Sequence, residues 1–554
     1  MSNKMLTLMM GFVAFLILAV GAVFVLALAG GGDDDDSPAG GDGTPRPSTS
    51  GKICDTDVLI VPGSDPASVL DPIQVGDVST AEYVVEIFGG LVTLDPDLNV
   101  VPDIAAKLPE VSNGGKTYTF KLRDDVVFHT GNAKRVTAND VKYSIERAAD
   151  PANASPTVVA YLGNIVGLRD RFNGRASSVS GIKVIDDTTL QIDLIEPSDF
   201  FLSELTYPVA YVVDREQVEG NPRNWTQKPR GTGPFQLKEF KPAEKIVLAR
   251  NDRYHLGAPK LAEVVFELAG GNILTRYEND EIHIGGFPVT QLDSVKSGQS
   301  PLSADYREVP EMAVYYFTLN PQKAPFDDPK VRQAFALTVD KENINTVLFY
   351  DAFRVADGFV PPETPGYTES VKGYPYDPDR AKQLLKESKY AGNLPRVVLT
   401  YSGTGAAPGD LLVAMQKNWQ DTLGVEIELQ AIDTSAFLRE QRKGQFQMQS
   451  EGWSADYPDV EDFLGKLFAS DSPLNYTRYN NPEVDALLKQ AKTETDRTKR
   501  FQLYAQAEQK ILDDATVIPT FWSVSHTLVK PCVKNLPDAP LVIPKYRYVE
   551  IKDD

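Results

Sequence analysis

Histidine and cysteine are scarce in this chain, so few side chains could hold a transition metal. Its 554 residues include four histidines and two cysteines, and no histidine pair has the H-E-x-x-H spacing of zinc hydrolases. The G-x-S-x-G motif of serine hydrolases is also missing. The sequence therefore predicts no metal site, no cofactor and no enzymatic activity.

Basic residues are outnumbered by acidic ones. The chain has 56 Lys and Arg against 77 Asp and Glu, which gives a formal net charge of -21. A protein that binds nucleic acid needs a basic face that displaces counterions from the phosphates. The charge balance therefore predicts that nucleic acid is not a partner.

Long uncharged apolar runs are missing from the chain except at its N-terminus, in residues 5–29. At about 1.5 Å per residue this run could cross the roughly 30 Å hydrocarbon layer of a membrane. We expect residues 1–29 to be a signal or transmembrane anchor. The run is longer than the apolar region of a cleaved signal peptide, which favours an uncleaved anchor, and cleavage after residues 27–29 is the alternative. Residues 30–52 are rich in Gly, Asp, Ser and Pro and predict a disordered linker.

The two cysteines lie near opposite ends of the predicted folded region. Cys54 is close to its start and Cys532 is close to its end. An extracytoplasmic location would permit a disulfide between them. Two free buried thiols are the alternative.

Alternating and helical patterns together predict an α/β fold. Residues 118–122 and 126–128 alternate as in a β-hairpin, and a capping box at Thr137 predicts a helix after them. Three further helices are predicted where Asp or Asn precedes proline, at residues 328, 377 and 481. A strand, a helix and a strand at residues 397–401, 410–423 and 425–429 predict a βαβ crossover.

Seven short segments occur in the order found in one protein family. The segments are YTFKLR (118–123), VFHTG (127–131), TANDV (137–141), GTGPF (231–235), PFDDPKVR (325–332), GWSADY (452–457) and LVKP (528–531). Together they resemble the bacterial extracellular solute-binding proteins of family 5, the oligopeptide- and dipeptide-binding components of ABC importers. The resemblance covers about residues 55–550.

The resemblance implies a two-lobed fold of the type II periplasmic binding proteins, with an extra inserted domain. Lobe I, which contains the hinge, would combine residues 53–90, 196–309 and 511–554. The inserted domain would be residues 91–195, and lobe II residues 310–510. In this arrangement both chain ends meet in one lobe, which agrees with the possible Cys54–Cys532 pair.

The resemblance also implies a ligand site. In peptide-binding members an aspartate in the motif matched by residues 455–457 holds the amino terminus of the ligand, and this aspartate is Asp456 here. An ammonium that leaves water needs such a carboxylate, since charge-assisted hydrogen bonds contribute about 1.5–3 kcal/mol. The other ligand-binding positions implied are Trp453, Tyr457, Phe521, Trp522, Tyr161, Phe88 and Gly89.

Two features depart from the family pattern. Peptide-binding members often carry an arginine shortly before the tryptophan, whereas Gln449, Ser450 and Glu451 stand there in this chain. The partner of a ligand carboxylate is therefore open. The family usually has a lipid-modified cysteine at the end of the signal segment, and this chain has none there, so attachment would rest on the N-terminal helix.

The function implied is extracytoplasmic capture of a small-molecule ligand, most simply a peptide, by a monomer tethered to the cell membrane. An ABC permease would be the membrane partner. An oligosaccharide, nickel complex or haem is the alternative ligand, and a sensor or adhesin with the same fold is the alternative role. The scarcity of histidine disfavours nickel.

Overall fold

The computed structural model describes residues 53–552, with the exception of residues 67, 131, 404–407, 542 and 544. The predicted anchor at residues 1–29 and the predicted linker at residues 30–52 lie outside the described part. Across the described residues, none of the helices combines the length and the apolar character needed to cross a bilayer.

Nineteen strands and sixteen α-helices form within the described residues. The strands are β1 (Val58–Pro62), β2 (Val92–Leu94), β3 (Val100–Pro102), β4 (Glu110–Ser112), β5 (Thr117–Lys121), β6 (Ile182–Asp186), β7 (Thr189–Asp193), β8 (Phe235–Lys241), β9 (Lys245–Arg250), β10 (Glu263–Glu267), β11 (Ile284–Gly285), β12 (Tyr306–Leu319), β13 (Arg354–Val355), β14 (Val397–Ser402), β15 (Ile427–Ile432), β16 (Met448–Ser454), β17 (Val517–Val529), β18 (Val533–Lys534) and β19 (Glu550–Ile551).

The helices alternate with these strands along most of the chain. They are α1 (Val78–Ile87), α2 (Ala138–Ala148), α3 (Val158–Leu162), α4 (Leu168–Phe172), α5 (Phe201–Glu204), α6 (Arg215–Gly220), α7 (Ile273–Glu278), α8 (Leu292–Lys296), α9 (Pro329–Leu337), α10 (Lys341–Phe349), α11 (Pro378–Glu387), α12 (Asp410–Leu423), α13 (Thr434–Arg442), α14 (Glu461–Phe468), α15 (Pro482–Thr493) and α16 (Arg497–Asp513).

Three larger sheets organise the described residues. One has four strands in the order β1-β10-β9-β8, and a second has four in the order β4-β5-β7-β6. The third has seven strands, six of them in the order β11-β17-β12-β16-β14-β15, with β13 paired to β17. The mixture of sheets and helices is the α/β class that the sequence patterns predict.

The sheet β4-β5-β7-β6 lies within the residues predicted for the inserted domain, but the predicted hairpin is wrong. Strand β5 pairs with β4 and β7, whereas Val127 makes only an isolated bridge to Arg135. The buried side chains explain the pairing, because Tyr118 and Phe120 stand opposite Ile192 and Leu190 and share one apolar face with them. The alternation identified the strand correctly, and a distant segment supplies the partner.

Local sequence signals place the helices accurately. The proline-started helices α9, α11 and α15 begin at Pro329, Pro378 and Pro482, each after an Asp or Asn whose side chain accepts a backbone N–H of the first turn. The predicted crossover is also present, since β14 and β15 are parallel neighbours joined by α12. These predictions are confirmed.

Strands β12 and β17 are long and pair with each other within the seven-stranded sheet. The C-terminal end of β17 pairs with β11, and the later half of β12 pairs with β16. Their mutual pairing is irregular between Pro310 and Val314. The predicted boundary at residue 511 assigns β17 to lobe I, whereas most strands of its sheet fall in the predicted lobe II. The exact domain limits stay a prediction.

The structure joins Cys54 and Cys532 in a disulfide that closes 478 residues of chain. Both cysteines are buried and pack with Ile53. The backbone N–H of Lys552 also donates to the carbonyl of Cys532, at 2.9 Å. The disulfide and this hydrogen bond hold the beginning and the end of the described chain together.

Candidate functional site

A large cavity lies between the part of the fold that contains α1 and the seven-stranded sheet. Its empty volume is about 1340 Å³, including the part that opens to solvent. One wall is formed by residues near α1, β2 and the C-terminus, and the other by residues of β14, α13 and β16 and the loop after β16.

Asp456 lines this cavity at the end of β16. The strand is held against β12 by a register that sets Trp453 opposite Val314, and the N–H of Ala455 donates to Met312 O at 2.8 Å. Pro458 follows shortly after and cannot donate to a ladder. The chain therefore turns away from the sheet at the point where Asp456 faces the cavity.

The Asp456 carboxylate is partly withdrawn from solvent and accepts a hydrogen bond from the Tyr161 hydroxyl. Burial raises the pKa of Asp456 above its usual value, while the Tyr161 hydrogen bond and the charge of Lys466 partly oppose this rise. No Lys or Arg of the described residues forms an ion pair with Asp456 within 4.0 Å. The site thus holds a carboxylate that is poorly hydrated and lacks a contacting cation.

A second acid, Asp462, holds the site residues in place. Its Oδ2 accepts the backbone N–H of Asp456 at 2.9 Å and the indole N–H of Trp453 at 3.1 Å. Asp462 is fully buried, and both burial and the neighbouring Asp456 raise its pKa. Asp462 therefore acts on the cavity through the two residues whose positions it fixes.

Tyr161 reaches Asp456 from the other side of the cavity region. It lies in α3, and its ring is stacked on that of Tyr207 with a centroid distance of 3.9 Å. Tyr207 itself lines the cavity. The hydrogen bond from Tyr161 to Asp456 therefore joins segments that are 295 residues apart in the chain.

Lys466 makes a second connection between the same segments. Its ammonium donates to Ala160 O at 2.7 Å and to Glu204 Oε1 at 2.5 Å, and it lies 4.9 Å from the centroid of the Tyr161 ring. The side chains of Lys466 and Glu204 are each 5% exposed. The helix α14 is thus tied to α3 and α5 by a buried ion pair next to the site.

Of the eight predicted binding residues, Asp456 and Trp453 line the cavity and Tyr161 contacts Asp456. The remaining five are not among the cavity-lining residues and pack inside the protein. Phe521 contacts Phe353 at a ring distance of 5.6 Å, which places it in the apolar core beneath the sheet. They do not line this cavity, and their expected contact with a ligand stays a prediction.

The other four have equally clear packing roles. Phe88 and Gly89 are buried beside α1, where a Cβ on Gly89 would lie 2.6 Å from Asp103 Oδ2. Trp522 is 5% exposed and meets the Tyr367 ring edge-on. Tyr457 is fully buried, and its hydroxyl donates to Glu461.

Several residues of the site are not predicted from the sequence. The charged positions in α14, a helix otherwise rich in apolar residues, are a signal that could have drawn attention to Asp462 and Lys466. No local pattern points to Tyr207 or Lys545, because distant segments bring them to the cavity.

Two bacterial periplasmic binding proteins are similar to this chain over most of its length. It is 31% identical over 491 residues to the probable deoxycholate-binding periplasmic protein YgiS of Escherichia coli, covering 86% of this chain and 89% of that one. It is 29% identical over 502 residues to the periplasmic oligopeptide-binding protein OppA of Salmonella typhimurium, covering 87% and 90% of the two chains.

This fold can also be superposed on two solved structures of one relative. The murein tripeptide binding protein MppA of Escherichia coli superposes with a TM-score of 0.80 at 26% identity, covering 90% of this chain and 98% of that one. The unliganded open form of MppA gives a TM-score of 0.65 at 27% identity and the same coverage. The fold is the two-lobed fold of the periplasmic binding proteins, and it superposes less closely on the unliganded open form of MppA.

The family model described as "Bacterial extracellular solute-binding proteins, family 5 Middle" matches residues 99–475. This match covers more than half of the chain and includes the strand, the loop and the helix that build the Asp456 site. The chain belongs to the bacterial extracellular solute-binding proteins of family 5.

Proposed function

We propose that this protein is the extracytoplasmic binding component of an ABC importer and that it captures peptides by closing its two lobes. The observation that carries the proposal is the Asp456 carboxylate, which lines a cavity between the lobes, is partly desolvated and lacks a contacting cation. The ammonium at the amino terminus of a peptide would supply the cation that Asp456 lacks. Such a protein binds its ligand without breaking a bond, and we therefore propose no enzymatic activity.

The electrostatics of Asp456 couple ligand binding to closure. When the lobes close without a ligand, the carboxylate loses water and gains no counter-charge, and leaving a buried charge unpaired costs about 3–5 kcal/mol. An ammonium at hydrogen-bond distance offsets this cost. The closed state is therefore favoured when a ligand with a positive end is present, as differential binding to two states requires.

The long strands β12 and β17 suit the hinge of such a motion. They are neighbours within the seven-stranded sheet, and their pairing is irregular between Pro310 and Val314. Hinge closure needs a few residues that absorb a change of backbone angles while packed elements move as units. We assign this role to the irregular part of the β12–β17 pair.

The N-terminal apolar run and the family membership support the remaining parts of the proposal. We infer that a monomer is tethered to the outer face of the cell membrane through residues 1–29, with residues 30–52 as the linker. The partner in the membrane would be an ABC permease that accepts the closed, loaded form.

Calorimetric titration with tri-alanine, in parallel with N-acetyl-tri-alanine, tests the role of Asp456. We expect Asp456→Asn to weaken binding of tri-alanine at least tenfold, because it removes the charge that the ammonium requires. N-acetylation should weaken binding to the wild-type protein by a similar factor and have little effect on the variant.

Asp471→Asn is the matched control, because Asp471 is exposed and lies outside the cavity lining. It should bind tri-alanine like the wild type. Titration with deoxycholate covers the ligand named for YgiS. Binding of deoxycholate without binding of either peptide would refute the proposed peptide function, and equal affinity of wild type and Asp456→Asn for tri-alanine would refute the role of Asp456.

A further inference from the structure

The cavity lining contains a single basic residue, Lys545, among the described residues. Three acidic residues line the same cavity: Asp77, Glu451 and Asp456. Asp77 is already used, because its Oδ1 accepts the backbone N–H of Thr80 at 2.8 Å and caps α1. Lys545 is thus the one lining residue with which a negative group of a ligand could form an ion pair.

The backbone around Lys545 is anchored to the rest of the fold. The N–H of Tyr546 donates to Glu86 Oε1 at 2.9 Å, and the Arg547 guanidinium donates to the Tyr254 hydroxyl at 2.7 Å. Tyr546 also packs edge-on against Phe266 of β10, with ring centroids 5.7 Å apart. Lys545 is therefore carried by the part of the molecule built around β1-β10-β9-β8, opposite the wall that carries Asp456.

The Lys545 ammonium lacks a contacting anion. None of the described carboxylates forms an ion pair with it within 4.0 Å, whereas the buried Lys466 is paired with Glu204 at 2.5 Å. Burial lowers the pKa of Lys545, and the charge of Glu86 only partly opposes this. Lys545 is thus a half-buried cation without a contacting anion among the described residues. Asp456 is likewise a half-buried anion without a contacting cation.

The wall near Trp453 disfavours a ligand carboxylate. Glu451 occupies the region where peptide-binding members often have an arginine, and it is 7% exposed. The side chains that interact most with it, Gln441, Tyr316, Gln449 and Thr318, are uncharged, and its Oε1 has no hydrogen-bond partner among the described residues. A carboxylate placed there would meet another carboxylate.

We propose that Lys545 binds the carboxylate of the captured ligand, so that a ligand with an ammonium at one end and a carboxylate at the other bridges the two walls of the cavity. This inference rests on the proposed function, because it assigns the second end of the peptide held at Asp456. It makes a free C-terminus, rather than a side chain, the feature that selects the ligand, and it adds a contact that exists only when the walls are close together.

Calorimetry with tri-alanine to penta-alanine, each as the free acid and as the C-terminal amide, tests this assignment. For at least one length, the wild type should bind the free acid at least tenfold more tightly than the amide. Lys545→Gln should reduce this ratio to about one through loss of affinity for the acid alone. Lys545→Arg should retain most of the ratio, because it keeps the charge.

Lys552→Gln is the matched control, since Lys552 is exposed, lies near the same chain end and is outside the cavity lining. It should keep the wild-type ratio. If the wild type binds acid and amide forms equally at every length, or if Lys545→Gln keeps the wild-type ratio, the assignment of Lys545 is overturned while peptide binding stands. If the wild type binds none of these peptides, the proposed function fails together with the assignment.

Discussion

At the scale of the residue, single buried ionisable groups affect the stability of this protein. Glu311, in β12, is 5% exposed, and its carboxylate accepts a hydrogen bond from the Ser523 hydroxyl at 2.6 Å. Burial raises the pKa of Glu311 to about 7, although the Ser523 hydrogen bond acts in the opposite direction. The folded protein therefore binds this proton more tightly than the unfolded chain does.

The sign of the resulting pH dependence follows from the direction of the shift. Between the usual value near 4.5 and about 7, the folded state holds the proton of Glu311 and the unfolded state has released it. The contribution of Glu311 to the free energy of unfolding is therefore greatest at low pH and declines as pH rises through this window. We expect Glu311→Gln to raise the unfolding free energy at pH 8 by up to about 3 kcal/mol and to have little effect at pH 4.5.

Urea unfolding of wild type and Glu311→Gln at several values between pH 4.5 and 8 measures this difference. The exposed Glu278→Gln serves as the control and should shift the unfolding free energy equally at every pH. A Glu311→Gln difference that stays constant across the range would contradict the assigned protonation.

The sequence is informative about single residues only where their role is local or belongs to the family motif. Asp456 could be predicted because it stands in the motif at residues 452–457, and the structure places it on the cavity. Lys545 could not be predicted, because its segment is held at the cavity by the neighbouring Tyr546, which contacts Glu86 and Phe266, residues distant in the chain. Aromatic residues such as Phe521 could not be assigned either, since a ring in the core and a ring on a cavity wall have the same sequence signature.

At the scale of the secondary-structure element, helix α14 is the connection that we regard as most consequential for closure. It carries Asp462, which orients Asp456 and Trp453, and Lys466, which pairs with Glu204. One short helix thus both positions the binding residues and contacts α3 and α5 across the cavity region.

We expect Lys466→Met to be strongly destabilising, by about 3–5 kcal/mol, because it leaves the Glu204 carboxylate buried and unpaired. Adding Glu204→Gln should recover part of this loss, because the Glu204 charge is then gone, while Glu461, 3.8 Å from the Lys466 ammonium in the wild type, still lacks that cation. Thermal unfolding of the wild type, both single variants and the double variant measures the coupling. Additive effects of the two substitutions would show that the pair does not act as a unit.

Elements were predictable from the sequence to the extent that local signals specify them. The Asp-Pro and Asn-Pro pairs predicted where α9, α11 and α15 begin, and local strand and helix patterns predicted the crossover β14-α12-β15. The hairpin failed because period-two alternation identifies a strand but not its partners, which for β5 are β4 just upstream and the distant strand β7. Long-range pairing of this kind is decided by which apolar faces meet in the core.

At the scale of the whole molecule, the disulfide and the two long strands have complementary effects. The Cys54–Cys532 bond fixes the two ends of the folded chain to each other. Strand β17 pairs with β11 and strand β12 pairs with β16, and the irregular part of the β12–β17 pair is the hinge that we propose. With that hinge, the molecule would be rigid at its ends and would open and close around the site.

Opposite charges on the two cavity walls give this motion a chemical trigger. Among the described residues, Asp456 on one wall and Lys545 on the other have no contacting counter-ion, and burial removes hydration from both. A peptide with both termini free would supply the two missing charges at once. Ligand binding would then stabilise the closed state through contacts that the open state cannot make.

The decisive measurement is a crystal structure of the protein in complex with tri-alanine. We expect closed lobes with the peptide in the cavity and its ammonium within hydrogen-bond distance, about 2.7–2.9 Å, of the Asp456 carboxylate. A peptide bound outside the cavity, or inside it with its ammonium away from Asp456, would refute the proposed capture of peptides at Asp456.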